Sequence, residues 1–177
     1  FSDISIGDDF FIGVTESGSG NSTGLMDITL GHGRFSGNGR FSIGKSTAVG
    51  NAFGRFRLND WSISDDTSIE NFHGIDIGCA YSIGGAEGLF DVVFHDPFSI
   101  SGFTEIKVGY VGGSGDGTGT FILDGYDASM IGNQSIITIG RNEGEGTATG
   151  IFHYLKADEM IGISNINVGS SSVFSQG

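Results

Sequence analysis

Ile106-Lys107-Val108-Gly109, and ten residues past that glycine Gly119-Thr120-Phe121-Ile122-Leu123, decide the reading of this chain. The first part is apolar–any–apolar–Gly; the second is a glycine that opens an alternating, Phe-bearing strand. Reading outward, the first part recurs as Phe10-Phe11-Ile12-Gly13, Phe41-Ser42-Ile43-Gly44, Ile75-Asp76-Ile77-Gly78, Ile137-Thr138-Ile139-Gly140 and Ile166-Asn167-Val168-Gly169. Successive glycines of this row lie 31, 34, 31, 31 and 29 residues apart. A fixed period of that size marks a repeat architecture. The second glycine follows as Gly54, Gly88, Gly119 and Gly150, ten residues on, and as Gly24, eleven residues on.

Alternate residues of a strand share a face. Two positions past the second glycine stand Met26, Phe56, Phe90, Phe121 and Phe152; four past it stand Ile28, Leu58, Val92, Leu123 and Tyr154. With Ile43, Ile77, Val108 and Ile139 from the first strand, these are the predicted interior columns. The intervening columns, Phe11/Ser42/Asp76/Lys107/Thr138/Asn167 and Asp27/Arg57/Asp91/Ile122/His153, are mostly polar and are predicted to face outward. Stacked as parallel rungs about 4.8 Å apart, Asp76 would neighbour Lys107, and Arg57 would lie between Asp27 and Asp91.

A third, less regular strand is expected at Trp61-Ser62-Ile63, Phe98-Ser99-Ile100, Met130-Ile131 and Met160-Ile161. Three short strands and three corners fill one period. The expected fold is therefore all-β: a parallel β-solenoid of about five three-stranded coils, each burying its neighbour's face. Residues 1–177 read as one domain, with incomplete coils at 1–7 and 166–177. Ser64 to Gly74 lengthens one coil, and Ser17 to Thr23 and Gly112 to Thr118 read as irregular polar loops on one flank.

Composition agrees. The chain has 33 Gly and 15 Phe in 177 residues, too much glycine to sustain helices. Its net charge of −13, with eight Lys and Arg, disfavours a nucleic-acid partner. A single cysteine, Cys79, rules out an internal disulfide and leaves only an intermolecular cross-link open. The start at Phe1 is expected of a mature product or an excised piece, and no apolar run reaches the length of a membrane helix.

Motifs with chemical content are few. Gly39-Arg40-Phe41-Ser42-Ile43-Gly44-Lys45-Ser46 matches the phosphate-loop pattern, but Phe41 and Ile43 are strand residues of the repeat and no helix is predicted to follow. The carboxylate pairs Asp8-Asp9, Asp65-Asp66 and Asp158-Glu159 are in-line neighbours that face opposite ways, so no catalytic residue is assigned. His32, His73, His95 and His153 lack zinc spacing, and no cofactor is expected. The one metal candidate is calcium at Asp116, in the acidic turn Gly113-Ser114-Gly115-Asp116-Gly117. Asn21-Ser22-Thr23 and Asn133-Gln134-Ser135 are glycosylation sequons.

The run from Ile106-Lys107-Val108-Gly109 through Gly117-Thr118-Gly119-Thr120-Phe121-Ile122-Leu123, and that from Ile139-Gly140 through Gly146-Thr147-Ala148-Thr149-Gly150, resemble the Gly-rich repeats of bacterial autotransporter passengers and related secreted adhesins. The resemblance implies a right-handed parallel β-helix acting as an extracellular or cell-surface scaffold. The expected function is thus a non-catalytic structural protein: a stalk, an adhesin segment or a fibre subunit that associates end to end, without membrane insertion. Alternatives are a β-helical carbohydrate-active enzyme, or a surface-glycan-binding module using exposed aromatics such as Phe11 and Tyr110.

Overall fold

Three parallel ladders wrap one apolar interior in a computed structural model that describes residues 3–30, 34–60, 67–94 and 97–169. The strands are β1 (Ile4–Ile6), β2 (Phe10–Ile12), β3 (Ser22–Leu30), β4 (Arg34–Gly37), β5 (Arg40–Ser46) and β6 (Ala52–Asp60). They continue as β7 (Thr67–Glu70), β8 (Gly74–Ala80), β9 (Ala86–Val93), β10 (Phe98–Val108), β11 (Gly117–Ile139) and β12 (Ala148–Val168). Every pairing is parallel, and no helix interrupts the strands among the described residues. The all-β solenoid of about five turns expected from the period is the fold.

One ladder follows the apolar–any–apolar–Gly strands through β2, β5, β8 and the later segments of β10, β11 and β12. A second follows the Phe-bearing strands through β3, β6, β9 and the first segments of β11 and β12. Phe56, Phe90, Phe121 and Phe152 lie directly in register. Their rings stack at centroid distances of 5.4, 4.7 and 4.6 Å along the axis. Ile43, Ile77, Val108 and Ile139 line the facing wall, all buried. Offset and stacked rings add to the area they bury, each buried Phe contributing roughly 1.5–3 kcal/mol.

The third ladder joins Phe98-Ser99-Ile100, Met130-Ile131 and Met160-Ile161 as expected, and differs in one coil. Phe98 and Ile100 pair with Thr67 and Ile69, and Ile69 pairs in turn with Phe35. The third strand of that coil is therefore Thr67–Glu70; Trp61-Ser62-Ile63 lies outside the described residues, as do Asp65-Asp66, His32, His95, the start at Phe1 and residues 170–177. Arg34–Gly37 and Ile4–Ile6 belong to the same ladder. The lengthened coil carries its extra residues before this strand: Thr67 is 13 residues past Gly54, whereas its partner Phe98 is 10 past Gly88. Phe35, Phe72, Phe94, Phe98 and Phe103 fill the interior at this corner.

The other departure is the spacer of nine residues (ten in the first coil) between the two glycine rows. It is no simple corner. Residues 14–23, 45–53, 79–87, 110–118 and 141–149 leave the body and return, and stack on one another as a fin. Bridges Thr15↔Ser46, Ala80↔Val111 and Val111↔Asn142 join successive rungs, and backbone bonds such as Gly115 N–H to Ser82 C=O, 2.8 Å, run between them. Ser17–Thr23 and Gly112–Thr118 are thus members of a regular row rather than irregular loops. Ala80, Ala86 and Val111, with Ala148 against them, form a small apolar cluster inside the fin, separate from the main core.

The neck where fin meets body explains the glycine pattern. Gly78 has φ +62°, and a Cβ there would overlap the backbone carbonyl oxygen of Thr118 on the next rung. A Cβ on Gly88 would overlap the amide nitrogen of Gly78. Two backbones pass here at a separation that only glycine permits. Among the described residues no helix is long and apolar enough to cross a membrane.

Candidate functional site

The fin has two flanks, and chemistry-bearing side chains gather on both. On the first flank, the outer face of the β5/β8/β10 ladder meets the outgoing limb of the fin. Asp76 stands here, fully buried, and Ser42 and Thr138 of the same column are buried too. This corrects the expectation of a solvated outward face. The cover comes from the fin: the Lys107 ammonium lies 5.7 Å from the ring centre of Tyr81 and 4.8 Å from that of Tyr110, with Lys45 5.4 Å from Tyr81.

Asp76 is in register with Lys107, as expected, but its ionic partners are others. Arg40 grips it with two hydrogen bonds, Nε to Oδ2 at 2.9 Å and Nη2 to Oδ1 at 2.6 Å, and Lys45 Nζ lies 3.0 Å from Oδ2. Arg40 also reaches Glu105 at 3.2 Å, and Lys107 pairs with Glu105 at 3.1 Å along its own strand. The fork of a guanidinium matches a carboxylate at two points, which a lysine on the adjacent rung cannot do. Burial works against the Asp76 charge, yet the Arg40 hydrogen bonds and the fields of Arg40 and Lys45 outweigh it, so the carboxyl titrates below its ordinary value. Arg40 shows the mirror case: burial opposes its charge, and Asp76 and then Glu105 hold its pKa above the usual one. Further along, Arg57 pairs with Asp91 at 3.0 Å, with Asp27 on its other side in register.

The same flank disposes of several sequence candidates. Lys45, the lysine of the phosphate-loop pattern, sits on strand β5 in an ion pair, with strand and turn rather than helix after it. Tyr110 is buried and hydrogen-bonds Glu143, so it offers no exposed ring; burial, then Glu143, raises its pKa. Cys79 is fully buried, its Sγ 3.7 Å from the carbonyls of Ile77 and Lys107, and burial followed by the Asp76 charge pushes its thiol up. A buried, protonated thiol is a poor cross-linking group. Phe11, by contrast, is exposed.

On the second flank, the returning limb carries a column three positions ahead of each neck glycine: Asn21, Asn51, Gly85, Asp116, Thr147. Its side-chain oxygens tie rung to rung. Asn21 Oδ1 accepts from the Asn51 amide at 2.9 Å, Asn51 Oδ1 from Gly85 at 2.8 Å, and Asp116 Oδ1 from Thr147 at 2.7 Å. Asp116, the calcium candidate, thus commits one oxygen to the ladder, and among the described residues no three His, Cys, Asp or Glu gather into a metal-sized group. Beside this column runs an open groove of about 440 Å³, walled by Asn21, Asn51 and Asp116 on one side and Phe53, Glu87 and Thr118 on the other.

The remaining candidates are dispersed. Asn21 and Asn133 are both exposed; the Ser135 hydroxyl of the second sequon is buried, accepting from Asn133 N–H at 2.9 Å and donating to Phe103 C=O at 2.5 Å. His73 and His153 are exposed, and Asp9 accepts the Arg40 amide at 2.6 Å. The sequence reading singles out neither the groove column nor the Arg40–Asp76 clamp; the column's constant three-residue lead on the neck glycines is the signal for the first, and no spacing points to the second. Comparison with protein-family models, with curated proteins and with solved structures finds no match to this chain.

Proposed function

We propose that this chain is a non-catalytic structural protein of the cell exterior, a rigid β-solenoid serving as a stalk, adhesin segment or self-stacking fibre subunit. The observation that carries the reading is the parallel pairing of every described coil with the next, which repeats the same interior rows from rung to rung. Ile166 and Val168 occupy the same interior positions as Ile137 and Ile139 one rung before. A further coil, from the same polypeptide or another copy, would add by the same pairing and cover the same kind of apolar row. The charge cluster supports it too: buried Asp76 and half-buried Arg40, Lys45 and Glu105 satisfy one another across three rungs, an arrangement that fixes geometry. The acidic, Gly-rich composition and the likeness to autotransporter and adhesin repeats favour an extracellular setting.

Sedimentation and negative-stain electron microscopy across a concentration series test the reading. Rods of uniform width that lengthen with concentration are expected. A particle of one mass at every concentration would count against self-stacking. Turnover of any substrate in a panel of neutral and acidic polysaccharides would overturn the non-catalytic assignment.

A further inference from the structure

The groove runs along the returning limb of the fin, and one rung of its lining carries no side chain. In the column Asn21, Asn51, Gly85, Asp116 the third rung has no side chain, so the amide ladder is broken between Asn51 and Asp116. Gly85 does not need to be glycine for its backbone: its φ is not positive, and an added Cβ would meet Asn51 Oδ1 at 3.2 Å, the end of a side chain, and the Asp116 carbonyl at 3.6 Å. Its small size therefore opens space rather than relieving strain.

The polar groups left around that space have a definite character. Asn21 and Asn51 spend their oxygens on the next rung, so their amide N–H groups remain as donors. Glu87, and the Asp116 oxygen not bonded to Thr147, are acceptors, and the Thr118 hydroxyl serves either way. Half-buried Phe53 supplies an apolar wall. No lysine or arginine lines the groove, and its two carboxylates repel phosphate, sulfate or uronate. A ligand that offers many hydroxyls, acting as donor and acceptor alternately, together with a flat C–H face for an aromatic ring, meets these conditions. From the first rung to the fourth the groove spans three spacings, about 14 Å.

We propose that this groove binds a neutral saccharide chain laid along the solenoid axis, with Phe53 under a sugar face and Asn21, Asn51, Glu87 and Asp116 reading its hydroxyls. The inference goes beyond the structural reading and does not depend on whether copies stack.

The test is a glycan array, followed by titration with the neutral oligosaccharides that score, using the full chain. The wild type is expected to bind at least one neutral oligosaccharide. Phe53→Ala should weaken that binding about tenfold, the loss of one good contact. Gly85→Asn, which restores the missing rung, should abolish it with the thermal midpoint unchanged. Phe11→Ser, outside the groove, should bind as the wild type does. Silence across all neutral glycans, binding confined to acidic glycans, or equal affinity in Phe53→Ala and wild type would overturn the proposal. If Gly85→Asn proves unfolded, Phe53→Ala and the titration still decide. Assembly state, read separately by sedimentation, keeps failure here distinct from failure of the fibre reading.

Discussion

Body and fin are made by the same turns of chain, yet they cohere by different means. In the body, rings and branched aliphatics stack in columns, with Phe90 held between Phe56 and Phe121 at 5.4 and 4.7 Å. In the fin the apolar cluster is small, Ala80, Ala86 and Val111, and polar ladders carry more of the cohesion. The Asn21–Asn51–Gly85 chain is one, and within a single rung the Ser46 hydroxyl donates to the Gly50 carbonyl at 2.8 Å. The two regions touch through glycine backbones. A thin, hydrogen-bonded fin can vary its outer side chains rung by rung, because few of them pack against anything. A ring column cannot.

The largest break in this contrast is expected at the neck. Gly78→Ala places a methyl on the Thr118 carbonyl oxygen at φ +62°, and neither backbone can yield without moving a whole ladder. A loss above about 4 kcal/mol is expected, seen as failure to fold in circular dichroism or chemical denaturation. Phe90→Ala, in the body, should cost about 3–5 kcal/mol by denaturant unfolding, since the column leaves a cavity it cannot close.

Between body and fin stands the Arg40–Asp76 clamp. Asp76→Ala leaves Arg40 and Lys45 half-enclosed without their main partner and should cost about 3 kcal/mol. Its pH signature has a definite sign. Because the folded-state pKa of Asp76 lies below the ordinary value, its contribution is complete above about pH 4 and is lost as pH falls through the lower folded value. Wild-type stability should drop across that acid window, and Asp76→Ala should flatten the drop. The smallest effect belongs to the fin interior: Val111→Ala should cost about 1 kcal/mol and speed hydrogen exchange in the fin while leaving the body's amides protected.

Sequence reading succeeded where a residue type had one structural cause. The glycine rows are legible because no other residue fits the neck, and the Phe rows because alternation fixes their face. Of the third ladder, Phe98-Ser99-Ile100, Met130-Ile131 and Met160-Ile161 are legible, but Thr67-Ser68-Ile69-Glu70 is not, since it carries one large apolar residue and no marker glycine. Asp76 read as solvated because its cover, Tyr81 and Tyr110, comes from the spacer, whose internal sequence has no period of its own. Stacking the coils places Asp76 beside Lys107, as the register shows, but register alone does not reveal that Arg40 reaches diagonally from another rung. Of the groove, only Asp116 and the sequon asparagine Asn21 were singled out, each for a different reason. The gap at Gly85 is invisible until the coils are stacked.

Ladders that all run the same way give this molecule an unusual response to mechanical load. Among the described residues the ladder hydrogen bonds join one rung to the next along the stacking direction, so tension applied from end to end should open them a turn at a time instead of shearing many together. Each turn that peels away frees about 31 residues, which extend to roughly 105 Å of slack at about 3.4 Å per residue. An anchored array of such coils would lengthen in equal, recoverable increments, absorbing a pull while the remaining turns stay wound.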